Sequence, residues 1–595
     1  MFTNLRPLAP YLRKYRTTFY IGALCVLCNN TVWILFPMVI RDAVRDLNTH
    51  VTRQTLLKYS LYLLAIAAAK AVFQYLTRWI LIGVSREIEF DLRNDLFAHL
   101  EQLAYSYYQR TRTGDIMARM TNDLNAVRML VGPGIMYTAN TIVFTAVSLV
   151  FMLSISPKLT LFAFLPLPIF SIVVQYFGRQ IHERFERIQA MFSEISARAQ
   201  ENFSGARLIR AYVQEEAEIE LFERANEEYI GRSLKLVRLM GMLWPTLETL
   251  LGVAIVIVLF VGGREVIQHR INVGDFAAFN TNMVQLTWPI IALGWVINIF
   301  QRGTASLGRI ENILKERPEV TDADVPRSGA PTTVRGEIEF RNLSFGYGET
   351  FETQSNDGAH SGTIVLKNLN LRVPAGTSLA IVGPTGSGKS TLVSLVPRIY
   401  DAAPGSVLID GRSIREFPLE VLRNNIGFVP QETFLFSDTI RENIAFGAED
   451  ASDGEVRRVA EAASIACDIE SFPEDYNTLV GERGLTLSGG QKQRTAIARA
   501  LIRNPRILIL DDALSSVDTQ TEDRILNYLR EVMRGRTTIF ISHRVSTVRN
   551  ADRIAVLHDG EIVEYGTHDE LIERNGYYTE LYHKQLLEEE LEVVS

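Results

Sequence analysis

The chain has 595 residues, 47% apolar and 22% charged, with a formal net charge of −7. That length leaves room for several domains, and the weakly acidic balance lacks the basic footprint of a nucleic-acid binder. Only Cys25, Cys28 and Cys467 carry thiols, too few for a zinc framework or a disulfide scaffold.

The average composition hides two different halves. Residues 1–16 carry Arg6, Arg13, Lys14 and Arg16 with no acid and read as an N-terminal elbow helix. The apolar stretch after them is too long for the core of a cleaved signal, and no A-x-A-like site follows. Six apolar segments, near 17–40, 56–84, 130–154, 158–177, 240–262 and 275–300, are each long enough to cross about 30 Å of hydrocarbon. They predict an all-α, six-helix membrane domain over 17–315. Lys and Arg are dense in the leader, in 86–128 and in 178–238, and sparse in the loops 154–158 and 263–272. By the positive-inside rule the N-terminus and both long stretches face the cytosol.

Those long stretches are helical. Between Ile169 and Gly205 there is no proline and one interior glycine, and residues 181–191 alternate apolar and charged side chains at helical spacing. A helix of that length is about 55 Å long, so its excess projects from the membrane. Segment two continues the same way through Arg86–Arg93. Two projecting hairpins need tips. The sequence places them at 113–123, where Gly114 breaks the helix before a short amphipathic one, and at 205–213. Both are expected to dock on the soluble domain. Polar side chains at membrane depth face a cavity or a partner. Glu248, Asn282 and Gln285 are the candidate cargo-cavity residues. Glu248, a carboxylate in an apolar run, draws cationic cargo, pairs with Arg78 or holds a helix contact.

A linker over 316–335 leads to a soluble domain over 336–575, followed by a C-terminal helix or tail over 576–595. An apolar strand runs into Gly383, Pro384, Thr385, Gly386, Ser387, Gly388, Lys389, Ser390 and Thr391, and a helix follows. This is the P-loop pattern in its required context. Its glycines let backbone N–H groups turn in around phosphates, and the helix N-terminus adds to the field. Lys389 is expected to reach the β- and γ-phosphates of ATP, and Ser390 to hold Mg²⁺. Further on, a buried-type strand from Arg506 ends in Asp511 and Asp512. Asp511 suits Mg²⁺, and Asp512 stands where a general base polarises water.

Between these motifs lies Leu487-Ser488-Gly489-Gly490-Gln491, which resembles the signature of the ATP-binding cassette (ABC) family. The family's other parts follow in order. Tyr347 resembles the aromatic that stacks on adenine, a contact worth ~1–3 kcal/mol. Gln431 resembles the residue linking Mg²⁺ to the membrane domain. Glu482 resembles the coupling loop typical of exporters, Asp518 the D-loop acid, and His543 the histidine that contacts the γ-phosphate. The membrane half is similar to multidrug-type exporters by architecture: six spans, two long intracellular hairpins, and a membrane domain placed before the cassette. The resemblance implies an α/β P-loop nucleotide-binding domain with a helical signature subdomain. It further implies that Ser488 and Gly490 cap nucleotide held by a partner chain, so that a second half-transporter is required.

One departure stands out. Most active cassettes carry Glu where this chain has Asp512. Asp is one methylene shorter and withdraws its carboxylate by about 1.5 Å. A misplacement of about 1 Å costs roughly a hundredfold in rate. With an intact signature, this resembles the degenerate-site subunit of a heterodimeric exporter, a homodimer being the alternative. Residues 349–363 also lengthen the loop after Tyr347. The expectation is ATP-driven export of a hydrophobic or amphipathic small molecule, lipid or peptide from the cytosol across the cell membrane, with the nucleotide-binding domain cytoplasmic. A gating subunit with little hydrolysis of its own is the rival reading.

Overall fold

The structure, a computed structural model, describes residues 2–47, 52–326, 329–347, 364–448, 450–481, 484, 487–513, 531, 533–542 and 544–594. It divides into two compact units, Met1–His99 with Gly114–Lys315, and Leu100–Thr113 with Glu316–Ser595.

The first unit is all helix. A short helix α1 (Ala9–Lys14) precedes α2 (Arg16–Leu47) and α3 (Arg53–Leu100). A short α4 (Tyr105–Arg110), which packs with the other unit, leads into α5 (Thr113–Ile155) and α6 (Pro157–Ser204). Then come a short α7 (Ala206–Ala211), α8 (Glu215–Ile267) and α9 (Val273–Lys315). Six of these are long and apolar enough to cross a membrane, at the places the hydropathy gave. Helices α3, α6 and α8 have 48, 48 and 53 residues. At 1.5 Å per residue they are about 70–80 Å long, more than twice the hydrocarbon thickness.

The projecting rods hold together by side-chain pairs. Arg184 donates to the Lys235 carbonyl, Phe192 lies against Tyr229, and Arg198 faces Glu218. The residue numbers of each pair sum to nearly the same value, so α6 and α8 run antiparallel. Glu89 on α3 is buried among Arg86, Arg93 and, at 3.6 Å, Arg128 on α5. Asp123 on α5 accepts two bonds, of 2.8 and 2.5 Å, from Arg309 on α9. Helix α1 is tied to α3 by Tyr11 donating to Asp95 and Lys14 to Asp91.

The second hairpin tip, α7, begins just after Gly205 as expected. The first does not match the sequence reading. Residues 113–123 open α5 and continue it, while the tip lies at 101–112 around α4. The local reason is plain. Gly114 falls in the first turn of α5 with open space around it, and Asp115 meets the positive end of that helix. Helix α4 folds back by its tyrosines: Tyr107 is buried, and the Tyr108 hydroxyl donates to the Leu100 carbonyl at 2.7 Å. Pro289 sits in the first turns after a break at Leu286, where a missing N–H costs little.

The second unit is α/β. Strands β1 (Ile338–Gly346), β2 (Ile364–Val373), β4 (Val407–Ile409) and β5 (Arg412–Ser413) form one antiparallel sheet in the order β2-β1-β4-β5. The larger sheet runs β10-β9-β3-β8-β7-β6, from β3 (Ser378–Val382), β6 (Ile426–Val429), β7 (Ile507–Asp511), β8 (Thr537–Ile541), β9 (Arg553–His558) and β10 (Glu561–Gly566). Its strands are parallel except β10, which pairs antiparallel to β9. β7 and β8 are buried along their whole length, as parallel strands covered on both faces must be. Side chains alternate between two cores. Ala380, Leu508 and Phe540 face the helical region that carries the signature, and Leu379, Ile509 and Ile539 face the antiparallel sheet.

Candidate nucleotide site and membrane cleft

The P-loop leaves the carboxyl end of β3 and enters α10 (Lys389–Ser394). Gly383 has φ +150° and Gly388 φ +99°. A Cβ on Gly383 would run into the Leu557 carbonyl, so these turns admit only glycine. Lys389 is buried, and its ammonium donates to the carbonyls of Gly383 and Pro384 at 2.9 and 2.8 Å. The cation is thus coiled inside the loop. Burial lowers its pKa, while Asp511 and Asp512 pull the other way. The Ser387 hydroxyl is buried with no hydrogen-bond partner among the described residues.

Asp511 ends β7, two strands from β3, and is 4% exposed. The Ser390 hydroxyl donates to its Oδ1 at 3.0 Å. A serine hydroxyl and a carboxylate side by side are hard oxygen ligands of the kind Mg²⁺ takes beside phosphate. The buried lysine, the orphan hydroxyl and this oxygen pair together fit a magnesium triphosphate. Asp512 follows with φ +49°, a left-handed backbone that Asp tolerates better than most residues, and its N–H donates to the Ile541 carbonyl at 3.1 Å.

Tyr347 follows β1, half-exposed, with its hydroxyl 2.8 Å from Thr391 Oγ1 on α10. One tyrosine and the phosphate loop therefore frame the same site. Gln431 lies exposed just beyond β6. Sequence reasoning passed over the neighbours of Tyr347. Tyr400 sets its ring edge-on to Tyr347, with centroids 5.2 Å apart, and also meets Tyr105 of α4 at 6.0 Å. Burial, with these two tyrosines alongside, pushes the Tyr400 phenol up to about 12. The clue was a run of three tyrosines, 105, 107 and 108, on a cytosolic tip.

The signature opens α11 (Gly489–Leu501). Ser488 N-caps it in a capping box. Its Oγ accepts from the Gln491 N–H at 3.3 Å, and its own N–H donates to Gln491 Oε1 at 3.0 Å. Gln491 donates onward to Asp468. Leu487 is buried as an anchor, whereas Ser488 and Gly489 are exposed and Gly490 is partly so. Glu482, Asp518, His543 and the 349–363 loop lie outside the described residues.

The three cavity candidates separate. Asn282 is fully buried between α9 and α5. It donates to the Ser148 carbonyl at 3.2 Å and faces the Ser148 hydroxyl at 3.3 Å. It is a helix clamp, which corrects its reading as a cavity residue: its amide is used up by the neighbouring helix. Gln285 buries a carbonyl oxygen with no partner among the described residues. Glu248 is exposed, with no ion pair to Arg78 among the described residues. A small apolar cleft of about 70 Å³ is lined by Phe164, Phe170, Leu250, Leu251, Met283 and Leu286.

Comparison with known proteins agrees with this geometry. Residues 19–290 match the family described as ABC transporter transmembrane region, and residues 366–515 the family described as ABC transporter. The chain is 37% identical over 589 residues to a probable multidrug resistance ABC transporter ATP-binding/permease protein, YheI, of Bacillus subtilis, with 99% of this chain and 98% of that protein covered. It is 35% identical over 596 residues to the ATP-dependent lipid A-core flippase of Syntrophus aciditrophicus, with 99% and 95% covered. A solved bacterial Atm1-family ABC exporter with ATP bound is similar at a TM-score of 0.76 and 30% identity, covering 96% of this chain and 98% of that one.

Proposed function

The chain belongs to the ABC transporter family, and we propose that this ATP-driven exporter works as one half of a two-chain machine whose nucleotide sites are completed across the pair. It is a multi-pass membrane protein, and its ATP-binding domain, cytoplasmic in this family, couples hydrolysis to transport. Within that frame, the P-loop and Tyr347 bind ATP. Lys389 gives up its loop carbonyls for phosphate oxygens, and Ser390 with Asp511 holds Mg²⁺. A bound Mg²⁺ neutralises charge on the phosphates. Asp512 orients the attacking water, assisted by His543.

The exposed signature carries the proposal. Ser488 and Gly489 stand exposed at the positive end of a thirteen-residue helix, with none of the described residues over them. A second chain's triphosphate fits there. Two exposed apolar patches support the same partner. Phe434, Phe436 and the 63%-exposed Phe446 cluster on the nucleotide unit. Phe203, Leu208, Tyr212 and Val213 crowd the α7 tip, and Phe203 is 81% exposed. Patches of this kind mark protein contacts.

Asp512 favours a heterodimer. Its short carboxylate makes the chain's own site slow, while its intact signature serves a partner that carries Glu. The same residue favours a second reading, in which nucleotide binding at this chain only gates the pair. The cargo is a hydrophobic or amphipathic molecule, a drug or a lipid. The apolar cleft, the unpartnered Gln285 oxygen and Glu248 support this, and so do relatives named for multidrug resistance and lipid A-core flipping.

The test is the ATPase rate of the purified chain alone and with the half-transporter encoded beside it. Turnover that needs the partner supports the heterodimer. Fast turnover by the chain alone sinks the reading of Asp512 and restores a homodimer. A pair that transports with its partner's Glu changed to Gln would favour pure gating.

A further inference from the structure

We propose that Tyr400 is a positioning residue that carries the state of the adenine contact at Tyr347 to the first membrane hairpin through Tyr105. This rests on the reading of Tyr347 as the adenine contact and adds to it a route out of the site.

The backbone under Tyr400 is fixed. Arg398, buried with φ +52°, donates to both carboxylate oxygens of Asp401 at 2.9 and 3.1 Å. Arg423 donates to the carbonyls of Pro397 and Arg398 at 3.2 and 3.0 Å, and Arg415 to that of Ala402 at 2.9 Å. Three guanidinium groups thus hold the turn from both sides, which leaves the ring as the part free to respond. That ring has two kinds of neighbour. Tyr347 and Phe345 meet it at centroid distances of 5.2 and 6.0 Å on the nucleotide side. Tyr105 meets it at 6.0 Å and 71° on the hairpin side. These are edge contacts in the range where aromatic pairs attract.

Helix α4 has a second attachment that no nucleotide touches. Ser106 donates to Glu319 at 2.7 Å, and Arg110 lies 3.5 Å from Glu319 and 3.7 Å from Glu316. One clamp therefore ties the tip to the linker whatever the P-loop holds, and the other shares a ring with the adenine site. A base stacked on Tyr347 changes what Tyr400 can pack against. Since α4 is joined by chain to both α3 and α5, a shift of its position is delivered to two long rods at once.

Hydrogen–deuterium exchange on the purified exporter with its partner tests this, following residues 100–113 with ATP and with tripolyphosphate, which fills the phosphate loop without a base. ATP should slow exchange at the tip about 2- to 10-fold beyond tripolyphosphate, the scale of one aromatic pair. Tyr400→Phe should keep that difference, and Tyr400→Ala should remove it. Tyr105→Ala, at an exposed position, should remove it while leaving ATP affinity unchanged, which guards against a misfolded Tyr400→Ala. Equal protection by tripolyphosphate, or ATP-specific protection that survives Tyr105→Ala, overturns the relay. Unchanged ATP affinity in Tyr347→Ala sinks the adenine reading beneath it. Weakened affinity there, with tip protection intact in Tyr400→Ala, sinks the relay alone.

Discussion

The two ends of the nucleotide unit are built on opposite plans. At the P-loop end the functional groups are buried and already bonded to one another: Lys389 to its own loop carbonyls and Ser390 to Asp511. At the signature end Ser488 and Gly489 face solvent, and the bonds between Ser488 and Gln491 keep the helix start in shape. The first is a cradle that needs only a ligand. The second is a helix start held in shape by its own cap and left open to solvent. On the proposed reading, such a chain would keep nucleotide binding to itself and lend turnover to another.

That contrast can be broken most directly at the open end. Ser488→Arg fills the exposed helix start with a cation. The ATPase of the pair should fall by at least about a hundredfold, the scale of losing oriented phosphate donors, while this chain still binds ATP in a filter assay. A pair that keeps its turnover would mean the signature faces nothing. Lys389→Ala should come next. Removal of a charge-assisted phosphate contact should weaken ATP binding at this chain's own site by roughly 10- to 100-fold, with a much smaller effect on the turnover of the pair. Chelation of Mg²⁺ should lower affinity at the same site, since Ser390 and Asp511 alone offer phosphate only one hydroxyl and a repelling carboxylate. Asp512→Asn should change the pair's turnover less than about threefold, whereas the partner's Glu→Gln should abolish it. A large loss from Asp512→Asn would make the two sites alike. The smallest effect is expected in the membrane unit. Asn282→Ala breaks the clamp on Ser148, should cost about 1 kcal/mol and lower Tm by a few degrees, and should leave transport intact.

The sequence carried more of one unit than of the other, for a physical reason. A phosphate loop needs glycines at fixed backbone angles and a lysine at one spacing, so Gly383–Lys389 announces itself. The six spans are legible because a bilayer demands a fixed length of apolar helix. The hairpin tip was misplaced because a helix end is set by what it packs on, and Gly114 is as much at home in a first turn as in a break. Asn282 misled for a related reason: an amide at membrane depth needs a partner, but the sequence does not say whether that partner is cargo or the Ser148 carbonyl. The Tyr105–Tyr400–Tyr347 contact joins residues far apart in the chain and follows no spacing rule. Only the fold brings it together.

Ser156 alone separates α5 from α6, and five residues separate α8 from α9, where Lys158 and Arg270 close on the buried Glu265. Both turns are therefore short and tightly held. An impermeant protease or antibody applied to intact cells would find almost no epitope to cut or grip at these two turns.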